Sequence, residues 1–201
     1  MTMVSEIGPR VSGIARTVPT WPVYFGGVLL GVLTIWGALS AVDPVEALSE
    51  DFGSLSLQVL LASLCITPLF RFARVNLMKF RKPLGLIAFG YLTVHFLVWV
   101  FLDLGMRWDL IGAEIVKRPY LTVGFAAFVL LVPLAATSWQ GAIRRMGPKA
   151  WGRLHRLVYV AVLLGAVHFV MQEKVWTLES LIYLVVTAGL VALRVTWIRR
   201  W

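Results

Sequence analysis

Six long stretches of apolar residues divide the chain, and few charged residues interrupt them. They run over roughly 23–42, 55–72, 84–104, 121–138, 154–171 and 178–197. A helix needs about 20 residues to cross a bilayer at 1.5 Å per residue. Each stretch is close to that length, so the pattern predicts an all-α membrane protein built as a bundle of six transmembrane helices. Residues 1–20 form an N-terminal segment, and residues 21–201 form the membrane domain.

Composition excludes an ordinary soluble domain. Hydrophobic residues make up 59% of the chain and charged residues only 14%, whereas soluble domains have about 45–50% and about 25%. The net charge of +9 would suggest a nucleic-acid partner in a soluble protein. Here the basic residues gather between the apolar stretches, so we predict membrane lipid as a partner and no nucleic acid.

The distribution of Lys and Arg predicts the orientation. The N-terminal segment, the second and fourth connections and the C-terminal tail hold 15 of these residues, and the other three connections hold 4. The first connection carries acidic residues instead. Because cytoplasmic segments carry the basic excess, we expect both termini, including residues 1–20, to be cytoplasmic. That result requires an even number of spans, which independently supports six.

All three histidines fall in or at the edge of predicted spans. His95 lies in the third span, and His155 and His168 lie in the fifth. An imidazole in hydrocarbon needs a partner, so such residues are candidates for function. The spans contain almost no acids for a proton relay, and two helices offer too few ligands for tetrahedral zinc. Neutral imidazoles from facing helices suit haem iron; the alternative for each histidine is a hydrogen bond to a neighbouring helix.

Spacing suggests two depths for cofactors. His155 and His168 are 13 residues apart, which is about 20 Å along a helix. We pair His95 with His168 as axial ligands, with His155 near the cytoplasmic face. On an ideal helix the two side chains of the fifth span differ in direction by about 140°. Facing the same neighbour would need a bend or an extra residue in one turn, for which Gly165 is the candidate. Arg81 lies 14 residues before His95, which makes it a candidate to hold a haem propionate or a flavin phosphate.

Several other cofactor chemistries are absent from the sequence. The single cysteine, Cys65, rules out an internal disulfide and a cysteine-rich iron–sulfur site, and no CxxCH motif for c-type haem occurs. No GxGxxG motif or P-loop occurs either. We therefore expect electrons to come from a separate reductase or from membrane quinol.

Short stretches of the sequence resemble a known family. They are His95 and His168 with 66–69 (ITPL), 81–86 (RKPLGL), 118–124 (RPYLTVG), 137–140 (TSWQ) and 151–159 (WGRLHRLVY). The chain resembles the haem-binding membrane subunits of the bacterial periplasmic methionine sulfoxide reductase system, in the ferric reductase-like transmembrane superfamily. The resemblance implies that His95, His155 and His168 match three of four haem-ligating histidines and that Arg81 stands in place of the fourth. It implies one haem b or two, with His155 serving a second haem, and also FMN.

The resemblance also implies a role. Such a subunit takes electrons from quinol or a cytoplasmic flavin reductase and passes them across the bacterial inner membrane. The acceptor is a periplasmic molybdopterin-containing methionine sulfoxide reductase, so we expect no catalytic residue for that reaction in this chain. The alternatives are a stand-alone ferric or other metal reductase, a small proton or metal transporter, and a non-catalytic assembly subunit.

Overall fold

The computed structural model describes the backbone of residues 2–198 and the side chains of residues 8–197. All regular secondary structure in this part of the chain is helical, and it contains no strands. Its α-helices are α1 (Thr2–Thr17), α2 (Trp21–Ala38), α3 (Pro44–Ala73), α4 (Arg81–Val98), α5 (Trp108–Lys117), α6 (Pro119–Ala136), α7 (Gln140–Met146), α8 (Pro148–His155), α9 (Leu157–Gln172) and α10 (Leu178–Ile198). Arg199 and Arg200, which entered the prediction of orientation, lie outside the described residues, as does Trp201.

Six of the helical segments are long and apolar enough to cross a membrane, as the apolar pattern predicted. They are Trp21–Ala38, Pro44–Ala73, Met78–Asp103, Pro119–Ala136, Pro148–Gln172 and Leu178–Trp197. The molecule is therefore a multi-pass membrane protein. We call the end formed by residues 39–43, 104–118 and 173–177 the outer end. The inner end is formed by residues 74–77 and 137–147.

The second span begins 11 residues earlier than predicted. Residues 43–53 are acidic and were expected to be a connection, but α3 starts at Pro44. The Asp43 side chain caps this helix, because its Oδ1 accepts hydrogen bonds from the backbone N–H groups of Val45 and Glu46, each at 3.0 Å. Proline at the first helical position is pre-organised for such a start. These extra turns lengthen α3 at its outer end, where it lies beside α4.

The fifth span is interrupted, but not at Gly165. Helix α9 runs unbroken through Gly165, and the break lies at Arg156, directly after His155. Arg156 N–H bonds to the Arg153 carbonyl at 3.2 Å, and Tyr159 N–H bonds to the Arg156 carbonyl at 3.1 Å. These bonds span three residues instead of four, which tightens the turn. The interruption of the fifth span therefore lies at Arg156, and Gly165 lies within a continuous helix.

Segments outside the spans also form helices. The N-terminal segment folds as α1, and α5 and α7 lie between the spans. The Ser12 hydroxyl joins α1 to the segment after α3: it donates to the Gly8 carbonyl within α1 at 2.7 Å, and its oxygen accepts from the Asn76 N–H at 2.9 Å. Helix α1 is thereby attached to the bundle at its inner end.

The core lies between α3, α4, α6, α9 and α10. It contains Leu57, Leu60, Leu61, Leu64, Ala88, Leu131, Leu134, Ala161, Val162 and Val191. Lipid is as apolar as leucine, so helices in a bilayer depend on close packing more than on burial from water. Gly27 and Gly31 of α2 show this: a Cβ at either would press on Ile87 or Tyr91 of α4. The Tyr91 hydroxyl also donates to the Gly27 carbonyl at 2.5 Å.

Candidate functional site

The structure places His95 of α4 beside His168 of α9 near the outer end of the bundle. Their ring centres are 6.2 Å apart and their planes are inclined at 74°. Counted along the apolar stretches, His95 lay deeper than His168 by several residues. The fold removes that offset and brings the two imidazoles to the same level.

Each of these imidazoles is held by a backbone carbonyl. His95 Nδ1 lies 2.7 Å from the carbonyl oxygen of Ser49, and His168 Nδ1 lies 2.8 Å from that of Tyr120. A carbonyl oxygen can only accept a hydrogen bond, so each Nδ1 carries the proton and donates it. Each Nε2 is left with its lone pair, which is the arrangement that a metal-binding histidine requires.

A glycine lies under each of the two rings. A Cβ built on Gly53 would stand 3.1 Å from His95 Nδ1, and one on Gly124 would stand 2.8 Å from His168 Nδ1. Gly53 follows Ser49 by four residues, and Gly124 follows Tyr120 by four. One helical turn separates such residues, so they share a face of the helix. Because each glycine has no side chain, the backbone carbonyl one helical turn before it is accessible, and the imidazole from the neighbouring helix can reach that carbonyl.

The two rings border a narrow outer cavity of about 100 Å³. Its walls are mostly apolar and include Leu57, Leu60, Leu92, Phe96, Phe128, Leu131, Val162 and Phe169. Polar groups, among them Glu50 and Gln172, line its outer part. Such walls suit a flat apolar ligand with a metal at its centre.

The spacing of the rings fits one metal ion between them. An imidazole nitrogen lies about 1.1 Å from its ring centre and binds a metal at about 2.0 Å, so two imidazoles on one ion put their centres about 6.2 Å apart. The observed separation is 6.2 Å. Within the described residues, no group of three or more His, Cys, Asp or Glu side chains could hold a metal. Two protein ligands in an apolar slot therefore fit a metal whose remaining ligands come from a macrocycle, as in haem.

His155 lies in a different environment, near the inner end. Its ring stacks on Trp151 with centres 3.9 Å apart, and its Nε2 lies 3.0 Å from the Thr137 hydroxyl oxygen. That hydroxyl lies 2.6 Å from the Pro133 carbonyl, to which it donates its single proton. The imidazole must then be the donor to Thr137, so Nε2 carries a proton and only Nδ1 retains a lone pair.

Arg81 and His155 line one inner cavity of about 600 Å³. The cavity also borders Lys82, Arg156 and Tyr159. Arg81 Nε is buried without a hydrogen-bond partner among the described residues. A second imidazole does not face His155 here, because the other two histidines are at the outer site. The inner cavity is therefore basic and wide, whereas the outer cavity is apolar and narrow.

Comparison with known proteins agrees with this architecture. The family model described as "Ferric reductase like transmembrane component" matches residues 51–166. Three relatives are each described as "Protein-methionine-sulfoxide reductase heme-binding subunit MsrQ". The chain is 43% identical to the one from Ralstonia nicotianae over 86% of this chain and 79% of the relative. It is 39% identical to the one from Brucella anthropi (88% and 80%) and 40% identical to the one from Rhizobium meliloti (89% and 88%).

The chain belongs to the MsrQ family of ferric reductase-like transmembrane proteins. No solved structure matches it. The matched region of the ferric reductase family model contains His95 and His155, together with Gly53 and Gly124.

Sequence analysis missed four residues around the histidines of this MsrQ family member. Ser49 and Gly53 fell in a region that was taken as a connection, and Tyr120 and Gly124 appeared only inside a matching stretch. The available signal was a glycine within a helix next to a histidine-bearing span, because glycine is unfavourable there by about 1 kcal/mol unless close packing requires it.

Proposed function

We propose that the chain is a haem-containing transmembrane electron-transfer subunit of a methionine sulfoxide reductase system, with His95 and His168 as the axial ligands of haem b. The observation that carries the proposal is the pair of facing imidazoles, 6.2 Å apart, whose Nδ1 atoms both donate to backbone carbonyls. The description of its relatives as heme-binding subunits of that system supports it.

The residues of the site have distinct tasks. Haem supplies one-electron chemistry at its iron when it is bound. The carbonyls of Ser49 and Tyr120 orient the two rings and raise the basicity of each free Nε2. His95 and His168 would hold the haem through their free Nε2 atoms, and a haem held by two protein ligands would supply electron transfer rather than binding of a substrate at its iron. The apolar walls keep water away from the ligand nitrogens.

We propose that the inner cavity binds a second cofactor for electron transfer. Arg81, Lys82 and Arg156 give it positive charge suited to the propionates of a second haem or to the phosphate of FMN. His155 would serve a second haem through Nδ1, or through Nε2 after release from Thr137. FMN remains a prediction from the family resemblance, as does the choice between one haem and two.

We propose that the inner end faces the cytoplasm, with both termini on that side of the bacterial inner membrane. The basic excess of the inner connections supports this orientation. Electrons would enter from quinol or a cytoplasmic flavin reductase and leave through the outer site. The acceptor would be a periplasmic molybdopterin-containing methionine sulfoxide reductase. The description of the matching family model favours a second function, reduction of soluble ferric iron without a protein partner.

A reduced-minus-oxidised absorbance spectrum of the purified protein tests the haem proposal. We expect sharp b-type bands, and a colourless protein after expression with ample haem supply would overturn it. A second assay compares two electron acceptors and thereby distinguishes the methionine sulfoxide reductase subunit from the metal reductase. The reduced protein should be reoxidised faster by the molybdopterin reductase than by ferric citrate, and the reverse order would favour the metal reductase.

A further inference from the structure

Two arginines meet at one tryptophan ring at the inner end of the bundle, between α3 and α10. The Arg71 guanidinium carbon lies 4.3 Å from the centre of the Trp197 ring, and the Arg194 guanidinium carbon lies 5.6 Å from the same centre. A guanidinium on an indole face gains cation–π energy. Two guanidinium groups on one indole also repel each other, and that repulsion is relieved by an anion bound to both.

Arg194 is the more unusual of the two, because it lies within the last span. One of its nitrogens donates to the Thr67 hydroxyl, while its Nε is buried and has no partner among the described residues. A charged side chain at this depth normally pairs with an opposite charge. The hydroxyl of Thr67 satisfies one donor and leaves the charge uncompensated.

Acidic side chains are placed elsewhere. Nine of the ten Asp and Glu residues lie in or beside the three connections at the outer end of the bundle. They are Asp43, Glu46, Glu50, Asp51, Asp103, Asp109, Glu114, Glu173 and Glu179. The tenth is Glu6, whose side chain lies outside the described residues. The described ion pair, Arg118 with Glu114 at 2.7 Å, is also at the outer end. An anion that paired with Arg71 and Arg194 would therefore come from outside the described part of the chain.

We propose that Arg71, Arg194 and Trp197 bind the phosphate of an anionic phospholipid in the groove between α3 and α10. A guanidinium binds phosphate oxygens through two parallel N–H groups, and two guanidiniums can grip one phosphate from both sides. Arg71 is exposed, so the groove is open to lipid. Phe72 is 69% exposed and packs on Trp197 with ring centres 5.8 Å apart, which provides an apolar wall for an acyl chain. Basic pockets between spans commonly hold acidic headgroups.

The site is independent of the proposed haem function, because it uses neither the histidines nor the two cavities. A rival source for the anion exists. Arg194 also lies 6.0 Å from the ring of Tyr159, which lines the inner cavity, so an acidic group of a cofactor there could reach it. The exposure of Arg71 favours lipid, and the experiment separates the two sources.

The test compares phosphatidylglycerol with phosphatidylcholine bound to the haem-loaded protein in native mass spectrometry. The double variant Arg71→Gln/Arg194→Gln should lower the preference for phosphatidylglycerol about tenfold, because it removes both charge-assisted phosphate contacts. The matched control is Arg144→Gln/Arg145→Gln, which removes the same charge from exposed positions of α7 at the same end. It should retain the preference. Arg71→Gln alone should give a smaller loss, and it covers the case in which the double variant does not fold.

Three results would overturn the proposal. An equal loss in the α7 control would show that only the general basic charge of the inner end attracts the lipid. Full displacement of phosphatidylglycerol by inorganic phosphate would indicate a free-ion site. A fall in haem or flavin content in Arg194→Gln, with lipid preference unchanged, would assign the arginine to a cofactor carboxylate or phosphate.

Discussion

The outer and inner ends of the bundle use histidine in different ways. At the outer end, His95 and His168 lie next to each other, and each donates a hydrogen bond through Nδ1 to a backbone carbonyl. That carbonyl is accessible because the residue one helical turn after it is a glycine. At the inner end, His155 has no facing imidazole and donates through Nε2 to the Thr137 hydroxyl. The same side chain is thus prepared for a metal in one place and engaged with a neighbouring helix in the other.

The comparison shows that histidines within the spans of one bundle can have different hydrogen-bond environments. What distinguishes the outer pair is the support around it: a carbonyl that fixes the tautomer, and a helix surface without a side chain that lets the ring approach. The two cavities differ accordingly. The outer one is narrow and apolar at about 100 Å³, and the inner one is basic at about 600 Å³.

The largest expected effect comes from removing an outer imidazole. His95→Ala or His168→Ala should lower the haem bound at the outer site by about tenfold or more, because that haem would lose one of its two protein ligands. Pyridine haemochrome analysis of purified protein measures this. His155→Ala is the matched control and should keep the outer haem. Full haem content in both outer variants would contradict the assignment.

Gly124→Ala should have the next largest effect. The new Cβ would stand 2.8 Å from His168 Nδ1, closer than real contacts allow, so the ring must leave the Tyr120 carbonyl. We expect a loss of haem affinity of about tenfold, typical of changes behind a metal-binding histidine. Haem titration of the apoprotein measures it. Gly85→Ala is the control, since a Cβ there meets nothing within 4 Å; an equal loss in both variants would refute the steric argument.

Gly53→Ala should act in the same direction but less strongly. Its Cβ would lie 3.1 Å from His95 Nδ1, so a small movement of the ring can accommodate it. We expect a shift in the midpoint potential of the outer haem with most of the haem retained, because the hydrogen bond from His95 Nδ1 to the Ser49 carbonyl is lengthened rather than lost. Spectroelectrochemical titration measures this shift. A greater loss of haem than in Gly124→Ala would reverse the proposed ranking.

The smallest effect is expected at the inner end. Thr137→Val removes the acceptor of His155 Nε2–H and should destabilise the protein by about 1 kcal/mol, the usual contribution of one hydrogen bond. Thermal unfolding followed by circular dichroism measures the change. The α-band of the outer haem should not move. A change in that band would mean that the two ends are more strongly coupled than their separate environments suggest.

Several features followed from the sequence without any tertiary information. The number of spans did, because a bilayer requires about 20 apolar residues within one continuous segment, and that requirement is local. The pairing of His95 with His168 was also proposed from the sequence. Cytoplasmic placement of the termini rests on the basic connections and remains a prediction.

Tertiary structure decided how the histidines are held. The carbonyls of Ser49 and Tyr120 and the glycines after them belong to helices other than those that carry the imidazoles, so no local pattern joins them to His95 or His168. The early start of α3 at Pro44 depended on a cap by Asp43, which hydropathy does not detect. The break at Arg156 could not be located from the sequence either. Span length is set by the thickness of the lipid, whereas ligand geometry is set by contacts between distant segments, and those exist only once the helices have packed.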